Sequence, residues 1–174
     1  MKIFFDTEFY DQGTRLDSET HLISIGLVTE YGRELYIENA SCDHETPKVF
    51  SHDGGLWMKE HVLSRLTNSP GVLVRSEDMA QKIVEFIGDE KPEFWAYFGA
   101  YDWVLFCKLF YGLLNLPKGW PHLFRELKWF MEEHGVSKSS LGCPKQDPAT
   151  QHHALHDAKW ERDVYRWIKG RGTF

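Results

Sequence analysis

The first third of the chain groups its apolar residues in the short runs typical of β-strands. Residues 2–6 predict a first strand, residues 21–28 a second, and residues 33–38 a third after a turn at Tyr31-Gly32. A fourth strand is predicted at residues 94–98, where aromatic residues cluster. Three neighbouring strands followed by a separate strand and helices predict a mixed α/β sheet.

Helical patterns dominate the rest of the chain. Helices are predicted at residues 56–66, from residue 76 onward, at 101–106, at 123–134 and at about 153–169. Ser76 is predicted as the N-cap of the second helix, and Gly135 as the end of the fourth. Residues 138–151 lack hydrophobic periodicity, so they predict a loop that leads into the last helix.

Two carboxylates lie one residue apart near the end of the first predicted strand. Side chains two positions apart on a strand project from the same face, so Asp6 and Glu8 should lie side by side. Adjacent like charges are costly unless a cation neutralises them or one of them keeps its proton. The pair therefore indicates a metal site. The alternative is that Glu8 lies beyond the strand end, in water.

Further candidate residues stand near the start of two later helices. Asp102 opens the helix at 101–106, and Asp157 lies one turn into the last helix, with His152 in the loop just before it. Asp102 alone could be only a partner of the helix dipole. His153 lies four residues before Asp157 and could form a structural salt bridge with it. His152, His153 and His156 together could be mistaken for a transition-metal site, but no cysteine lies near them in the sequence.

Taken together, the motifs resemble a known nuclease superfamily. D-x-E after a first strand, an Asp that opens a central helix, and H-x-A-x-x-D-A on a last helix are similar to the DEDDh 3′–5′ exonucleases. Here these positions are Asp6, Glu8, Asp102, His152 and Asp157. The resemblance spans nearly the whole chain. Within the superfamily the chain is most similar to small bacterial and phage exoribonucleases of the polyadenylate-specific RNase AS type, and oligoribonuclease and RNase T are more distant.

The resemblance implies a fold and a mechanism. The fold would be RNase H-like, a mixed five-stranded sheet flanked by helices, in a single 3′–5′ exonuclease domain over residues 1–174. Asp6, Glu8 and Asp157 would hold one divalent ion, and Asp6 would bridge to a second ion with Asp102 acting directly or through water. Such oxygen ligands favour two Mg²⁺ or Mn²⁺ ions over zinc. His152 would accept the proton of the attacking water, and nucleoside 5′-monophosphates would be released.

Composition adds limits on the class of protein. The 174 residues include 12 Phe and 7 Trp, enough apolar surface for the core of one domain. We expect a soluble cytoplasmic protein without membrane association, because no signal peptide or long apolar run occurs. The three cysteines form no C-x-x-C pair and are expected to be reduced thiols. A net charge of −6 opposes a broad surface for long duplexes, but not a nuclease that holds a chain end through metal ions.

Three residues are candidates for substrate contact. Phe9 follows Glu8 directly and is placed to contact the terminal sugar or base. Trp57 and His61 share one face of the helix predicted at 56–66, so Trp57 could stack on a base while His61 contacts phosphate or sugar. Relatives place an aromatic residue and a histidine in a comparable segment. The alternative for Trp57 is a core anchor.

These observations predict a metal-dependent 3′–5′ exoribonuclease that acts on single-stranded RNA 3′ ends, with adenylate-rich RNA as one candidate substrate. A DNA exonuclease with the same site is the alternative within the enzyme class. A non-catalytic nucleic-acid-binding module is the alternative outside it, and the clustered acids oppose this reading because they repel phosphate. Small relatives often form homodimers, and Trp120 and Phe124 suggest more aromatic surface than one core buries.

Overall fold

A six-stranded sheet organises the protein, whose structure is a computed structural model that describes residues 1–10, 21–42 and 55–171. The strands are β1 (Lys2–Tyr10), β2 (His21–Thr29), β3 (Glu34–Asn39), β4 (Leu73–Val74), β5 (Glu93–Ala96) and β6 (Arg125–Glu126). They lie in the order β4-β3-β2-β1-β5-β6. The mixed α/β sheet is therefore confirmed, with one strand more than the predicted five. The two edge strands have only two residues each, which is too short to produce a hydrophobic pattern.

Helices flank this sheet. They are α1 (Leu56–His61), α2 (Ser76–Ile87), α3 (Ala100–Leu109), α4 (Leu127–Glu133) and α5 (Ala154–Gly170), with 3₁₀ turns at Leu63–Arg65 and Leu113–Asn115. Residues 138–151 contain neither helix nor strand, as predicted. Among the described residues, no helix is long and apolar enough to cross a membrane.

Three local predictions were wrong. The helix predicted at 56–66 ends at His61 and continues only as a 3₁₀ turn. The helix predicted at 123–134 begins at Leu127, because the two residues before it pair with β5 as a parallel strand. Ser76 does not cap α2. Arg75 occupies the N-cap position, and the Ser76 hydroxyl donates instead to Asn39 Oδ1 at 2.9 Å.

Alternate residues of β1 face two separate cores. Phe5 packs with Phe106 and Ile83 on the side of α2 and α3. Phe4 packs with Val164 and other apolar residues on the side of α5. Because side chains two apart on a strand share a face, the polar residues that follow Phe4 at even positions also face α5.

The start of α5 lies directly against the middle of the sheet. Gly26 of β2 pairs with Asp6 of β1, and α5 crosses the sheet at this point. A Cβ at position 26 would lie 2.3 Å from the backbone N and Cα of Leu155, so only glycine permits this approach. The first turn of α5 is thereby placed beside Asp6.

Candidate active site

One cavity of about 320 Å³ collects all five polar residues singled out in the sequence. Asp6 and Glu8 come from β1, Asp102 from the first turn of α3, Asp157 from the first turn of α5, and His152 from the loop before α5. Glu8 lies within β1 and pairs with Ser24, so the alternative that it lies beyond the strand end is wrong. The arrangement brings four carboxylates and one imidazole together from three separate parts of the chain.

Three of these residues are close enough to share one cation. The ligand atoms of Glu8, His152 and Asp157 all lie within 4.8 Å of one another. Two of the three offer oxygen, which is the donor that hard divalent cations such as Mg²⁺ and Mn²⁺ prefer. The cluster is therefore a candidate metal site.

Burial disfavours the charged form of every motif acid in the cavity, and repulsion by neighbouring acids adds to this effect at Asp6 and Glu8. Burial first, and then the charges of Asp102 and Glu8, raise the pKa of Asp6 well above its usual range. Burial and the charge of Asp157 raise the pKa of Glu8 to about 8. Burial likewise raises the pKa of Asp157. A bound cation would stabilise the charged form of these buried carboxylates and relieve the repulsion between them.

Asp102 takes the place of a missing strand neighbour. β1 pairs with β5 only over Lys2–Phe4, because β5 ends at Ala96 and the chain turns into α3. Beyond that point the backbone N–H of Thr7 donates to Asp102 Oδ1 at 2.9 Å, and the Thr7 hydroxyl donates to the same oxygen at 2.6 Å. These two hydrogen bonds attach Asp102 to the strand that carries Asp6 and Glu8. An aspartate that only interacted with the dipole of α3 would not need them. Burial raises the pKa of Asp102 to about 6, against these two hydrogen bonds, which lower it.

Asp157 is held by a hydrogen bond to each oxygen. Gln146 Nε2 donates to Oδ1 and the backbone N–H of His152 donates to Oδ2, both at 2.9 Å. His152 has a φ of 64°, a strained value for a residue with a Cβ, and it is among the few described non-glycine residues with positive φ. This conformation turns the loop so that its N–H meets Asp157 while its imidazole lines the cavity.

The other two histidines of the segment do not join the site. The ring of His153 stacks on Tyr36 at a centroid distance of 4.2 Å, and the Asp157 oxygens have other donors, so the predicted alternative of a His153–Asp157 salt bridge is not what the structure shows. His156 is exposed and lies edge-on to the His153 ring. The three histidines therefore do not form a transition-metal cluster.

Aromatic residues surround the mouth of the cavity. Phe9 stacks on Tyr101 at 6.0 Å, and Trp57 stacks on His61 at 4.9 Å with an interplanar angle of 10°. Trp57 is 45% exposed and contacts the ring of His152 edge-on at 4.9 Å, so it is not a core anchor. Phe98 also lines the cavity, with a φ of 56°.

The sequence reasoning missed several polar residues of the cavity, among them Glu161, Lys138 and Gln146. Glu161 lies one turn after Asp157 on α5, and this i,i+4 spacing was the signal that could have found it. Lys138 and Gln146 come from the loop at 138–151, where no pattern marks them. Lys138 Nζ lies 4.2 Å from the ring centroid of Tyr97 and donates to Gln146 Oε1 at 3.1 Å.

Comparisons with known proteins relate the chain to a family of exoribonucleases. The family model of the 3′–5′ exoribonuclease Rv2179c-like domain matches residues 1–168. The 3′–5′ exoribonuclease Rv2179c of Mycobacterium tuberculosis H37Rv is 34% identical over 184 residues, an alignment that covers 99% of each chain. The 3′–5′ exoribonuclease of M. tuberculosis strain CDC 1551 matches to the same extent.

Solved structures of Escherichia coli exonuclease I share the fold. Its zinc-bound complex with single-stranded DNA superposes with a TM-score of 0.66 at 12% identity, and its complex with a dT13 oligonucleotide with a TM-score of 0.62 at 13% identity. The match covers 98% of this chain but only 40% and 41% of those chains, so the protein spans about two-fifths of exonuclease I. At such identities the likeness shows the RNase H-like fold alone. The family match and the full-length identity go further, because they show that the chain belongs to the Rv2179c-like family of 3′–5′ exoribonucleases.

Proposed function

We propose that the protein is a metal-dependent exoribonuclease of the DEDDh type. It would remove nucleoside 5′-monophosphates from the 3′ ends of single-stranded RNA. The observation that carries this proposal is the convergence of Asp6, Glu8, Asp102, Asp157 and His152 on one cavity. A protein that only binds nucleic acid gains nothing from buried acids that repel phosphate, whereas phosphodiester hydrolysis by metal ions requires them.

The donor set fits two Mg²⁺ or Mn²⁺ ions. Asp6, Glu8 and Asp157 would hold one ion, and Asp6 with Asp102 would hold the other. Once bound, the ions supply an activated water and stabilise negative charge on the leaving oxygen. The raised pKa values of Asp6 and Glu8 support this assignment. The fold buries both carboxylates, and among the described residues no lysine, arginine or histidine forms a salt bridge with either of them. A bound cation would therefore supply the missing positive charge.

His152 would accept the proton of the attacking water. Its imidazole lies beside Glu8 and Asp157, and burial lowers its pKa, so the ring is neutral and can accept a proton at neutral pH. The edge-on contact with Trp57 and the bond from its own backbone to Asp157 fix the ring and the loop that carries it. These contacts orient the base before substrate arrives.

The aromatic pairs at the mouth are suited to the terminal nucleotides. Phe9 and Tyr101 line the cavity that holds the acids, whereas Trp57 and His61 lie against the ring of His152. Stacking on aromatic rings holds single-stranded bases without reading their sequence. The preference for RNA rests on the relatives, which are named exoribonucleases, and an adenylate preference rests on the resemblance to the RNase AS type.

The proposal includes a homodimer, but the expectation that Trp120 and Phe124 lie outside the core was wrong. Trp120 is buried in the core and Phe124 is partly buried against it, so neither is spare aromatic surface. Exposed apolar side chains lie instead around a groove of about 750 Å³ beside the edge strand β6, where Leu123 and Trp129 are 78% and 69% exposed. This groove is the surface whose substitution would test for a dimer by light scattering.

One experiment tests the reaction. Single-stranded RNA and DNA of the same sequence, each labelled at the 5′ end, are incubated with the protein and Mg²⁺. RNA should shorten stepwise from the 3′ end, EDTA should stop the reaction, and the Asp6→Asn variant should be inactive. Homopolymer RNAs then show whether adenylate ends are preferred.

The alternatives give different results in the same assay. Equal shortening of DNA would favour the DNA exonuclease. Exonuclease I, which shares the fold, is seen in complex with single-stranded DNA. Tight binding of RNA without shortening in either Mg²⁺ or Mn²⁺ would favour the non-catalytic module and overturn the proposal.

A further inference from the structure

Glu161 is a buried acid of the cavity that the proposed reaction does not yet use. It lies on α5, one turn after Asp157, and is only 2% exposed. Oε1 accepts a hydrogen bond from the backbone N–H of Tyr97 at 2.7 Å. Oε2 is buried and has no hydrogen-bond partner among the described residues, although the residue lines the cavity that holds Asp6 and Asp102.

An unpaired oxygen on a buried carboxylate is costly. A buried polar atom without a partner loses its hydrogen bonds to water on folding and gains none in return, and this cost is larger when the group is charged. A folded chain rarely retains such an atom unless a ligand or water completes it. In its charged form Glu161 would add to the repulsion among the other acids, so a structural role alone would be served better by a neutral glutamine at this position.

The surroundings indicate which ligand would complete it. Acids dominate the charged groups that act on Glu161 (Asp102, Asp157 and Glu126, in decreasing order), and Lys138 is the lysine or arginine among the described residues that line the cavity. A neutral or anionic ligand would leave the repulsion in place. A hydrated divalent cation would relieve it, because the waters of such an ion donate hydrogen bonds to nearby carboxylates.

We propose that Glu161 is a positioning residue of the metal site, whose Oε2 accepts a hydrogen bond from water held by a divalent ion bound at Asp6 and Asp157. The residue therefore strengthens cation binding without being a ligand itself. The inference rests on the proposed metal-dependent function. It adds a fifth acid to the four that the sequence motifs supply.

The test is the affinity for Mn²⁺ alone, measured without RNA. Manganese is titrated into the metal-free full chain, and the free ion is followed by electron paramagnetic resonance and by calorimetry. Glu161→Gln keeps the shape of the side chain and the acceptor for Tyr97 but removes the charge. Loss of an outer-shell partner typically weakens metal binding about 10- to 100-fold, and that is the expected change.

Glu126→Gln is a matched control, because Glu126 holds the next backbone amide by the same chemistry. Its carboxylate accepts from Phe98 N–H at 2.8 Å and from Gly99 N–H at 3.1 Å, directly after the amide that Glu161 holds. Glu126 does not line the acidic cavity. Its substitution should lower thermal stability and weaken Mn²⁺ binding by no more than about twofold, because Glu126 acts on the acids of the cavity only through its charge.

The outcomes separate this inference from the proposed function. If the unsubstituted protein binds no Mn²⁺, or if Asp6→Asn binds it equally well, the metal-dependent function itself fails. If Asp6→Asn loses binding while Glu161→Gln retains it within twofold, only the role of Glu161 is overturned. Should the glutamine variant not fold, Glu161→Met, which has similar volume and no charge, is titrated with the same expectations.

Discussion

Substituting Gly26 by alanine tests how the fold places the acids. Gly26 pairs with Asp6 across β1 and β2, and the first turn of α5 lies directly over it. The added Cβ would lie 2.3 Å from Leu155 Cα and N and 2.4 Å from Ala154 C. These are backbone atoms, so no side chain can rotate away. The start of α5 must move relative to the sheet.

The size of the effect follows from these distances. Ordinary contact begins at 3.4 Å, so the two backbones must separate by 1.1 Å, the difference between 3.4 and 2.3 Å. Overpacking of this kind costs about 1–3 kcal/mol of stability. A misplacement of about 1 Å in a catalytic group can cost about 100-fold in rate. Asp157 and His152 move with the first turn of α5, so Gly26→Ala should lose about two orders of magnitude in kcat.

The assay compares kcat on a single-stranded RNA with the free energy of unfolding in urea, at a temperature where the variant is folded. Gly170→Ala is the control, because a Cβ at this last residue of α5 meets no atom of the described residues within 4 Å outside its own stretch of helix. It should keep full activity and equal or higher stability, since alanine favours a helix over glycine by about 1 kcal/mol. Activity of Gly26→Ala within threefold of the unsubstituted protein would show that α5 is not positioned by this contact.

Four further predictions concern the acids, the base and the rim. Asp6→Asn should abolish turnover, yet thermal unfolding of the metal-free protein should show equal or higher stability because repulsion is relieved. His152→Ala should lower kcat about 10²–10⁴-fold in steady-state kinetics, and a loss below tenfold would contradict its role as the base. Trp57→Ala should raise KM for RNA roughly 5- to 150-fold, equivalent to one base stack of about 1–3 kcal/mol, whereas Tyr31→Ala, exposed in the turn after β2, should not. The metal-free protein should lose stability as pH rises from about 4.5 to about 8, because the raised pKa of Glu8 makes the folded state bind more protons than the unfolded state in that window. Thermal melts in EDTA that show rising stability across this range would refute the last prediction.

The sequence was informative where local patterns carry the chemistry. The apolar run of Ile3, Phe4 and Phe5 predicted a strand, which the structure confirms, and the three side chains divide between the two cores. Asp6 and Glu8 follow on the face of Phe4, so their shared direction could be derived from periodicity alone. The meeting of these two acids with Asp102 could not be derived in this way. It was expected only because the three motifs resemble a superfamily.

Other features depend on contacts between distant segments and leave no local pattern. The strand at Arg125–Glu126 exists because it pairs with β5. Its two residues directly precede a helix and fit the helical pattern that predicts a helix over residues 123–134. Gly26 resembles any glycine in a strand until α5 is seen against it. The early end of β5 frees the amide of Thr7 for Asp102, and no spacing in the sequence indicates where a neighbouring strand will stop.

The loop at 138–151 contributes Lys138 and Gln146 to the cavity, although no sequence pattern marks either residue. The charge balance of the cavity shows why Lys138 is important. Counting Glu161, the cavity has five carboxylates, one more than the four positive charges that the two proposed divalent ions would bring. Lys138 would supply the remaining charge. Its ammonium lies between the rings of Tyr97 and Trp160, at 4.2 and 4.3 Å, where cation–π attraction holds it without an ion pair to the acids among the described residues. Lys138 also donates to Gln146, whose amide in turn orients the Asp157 carboxylate, so the loop contributes both charge and geometry to the site.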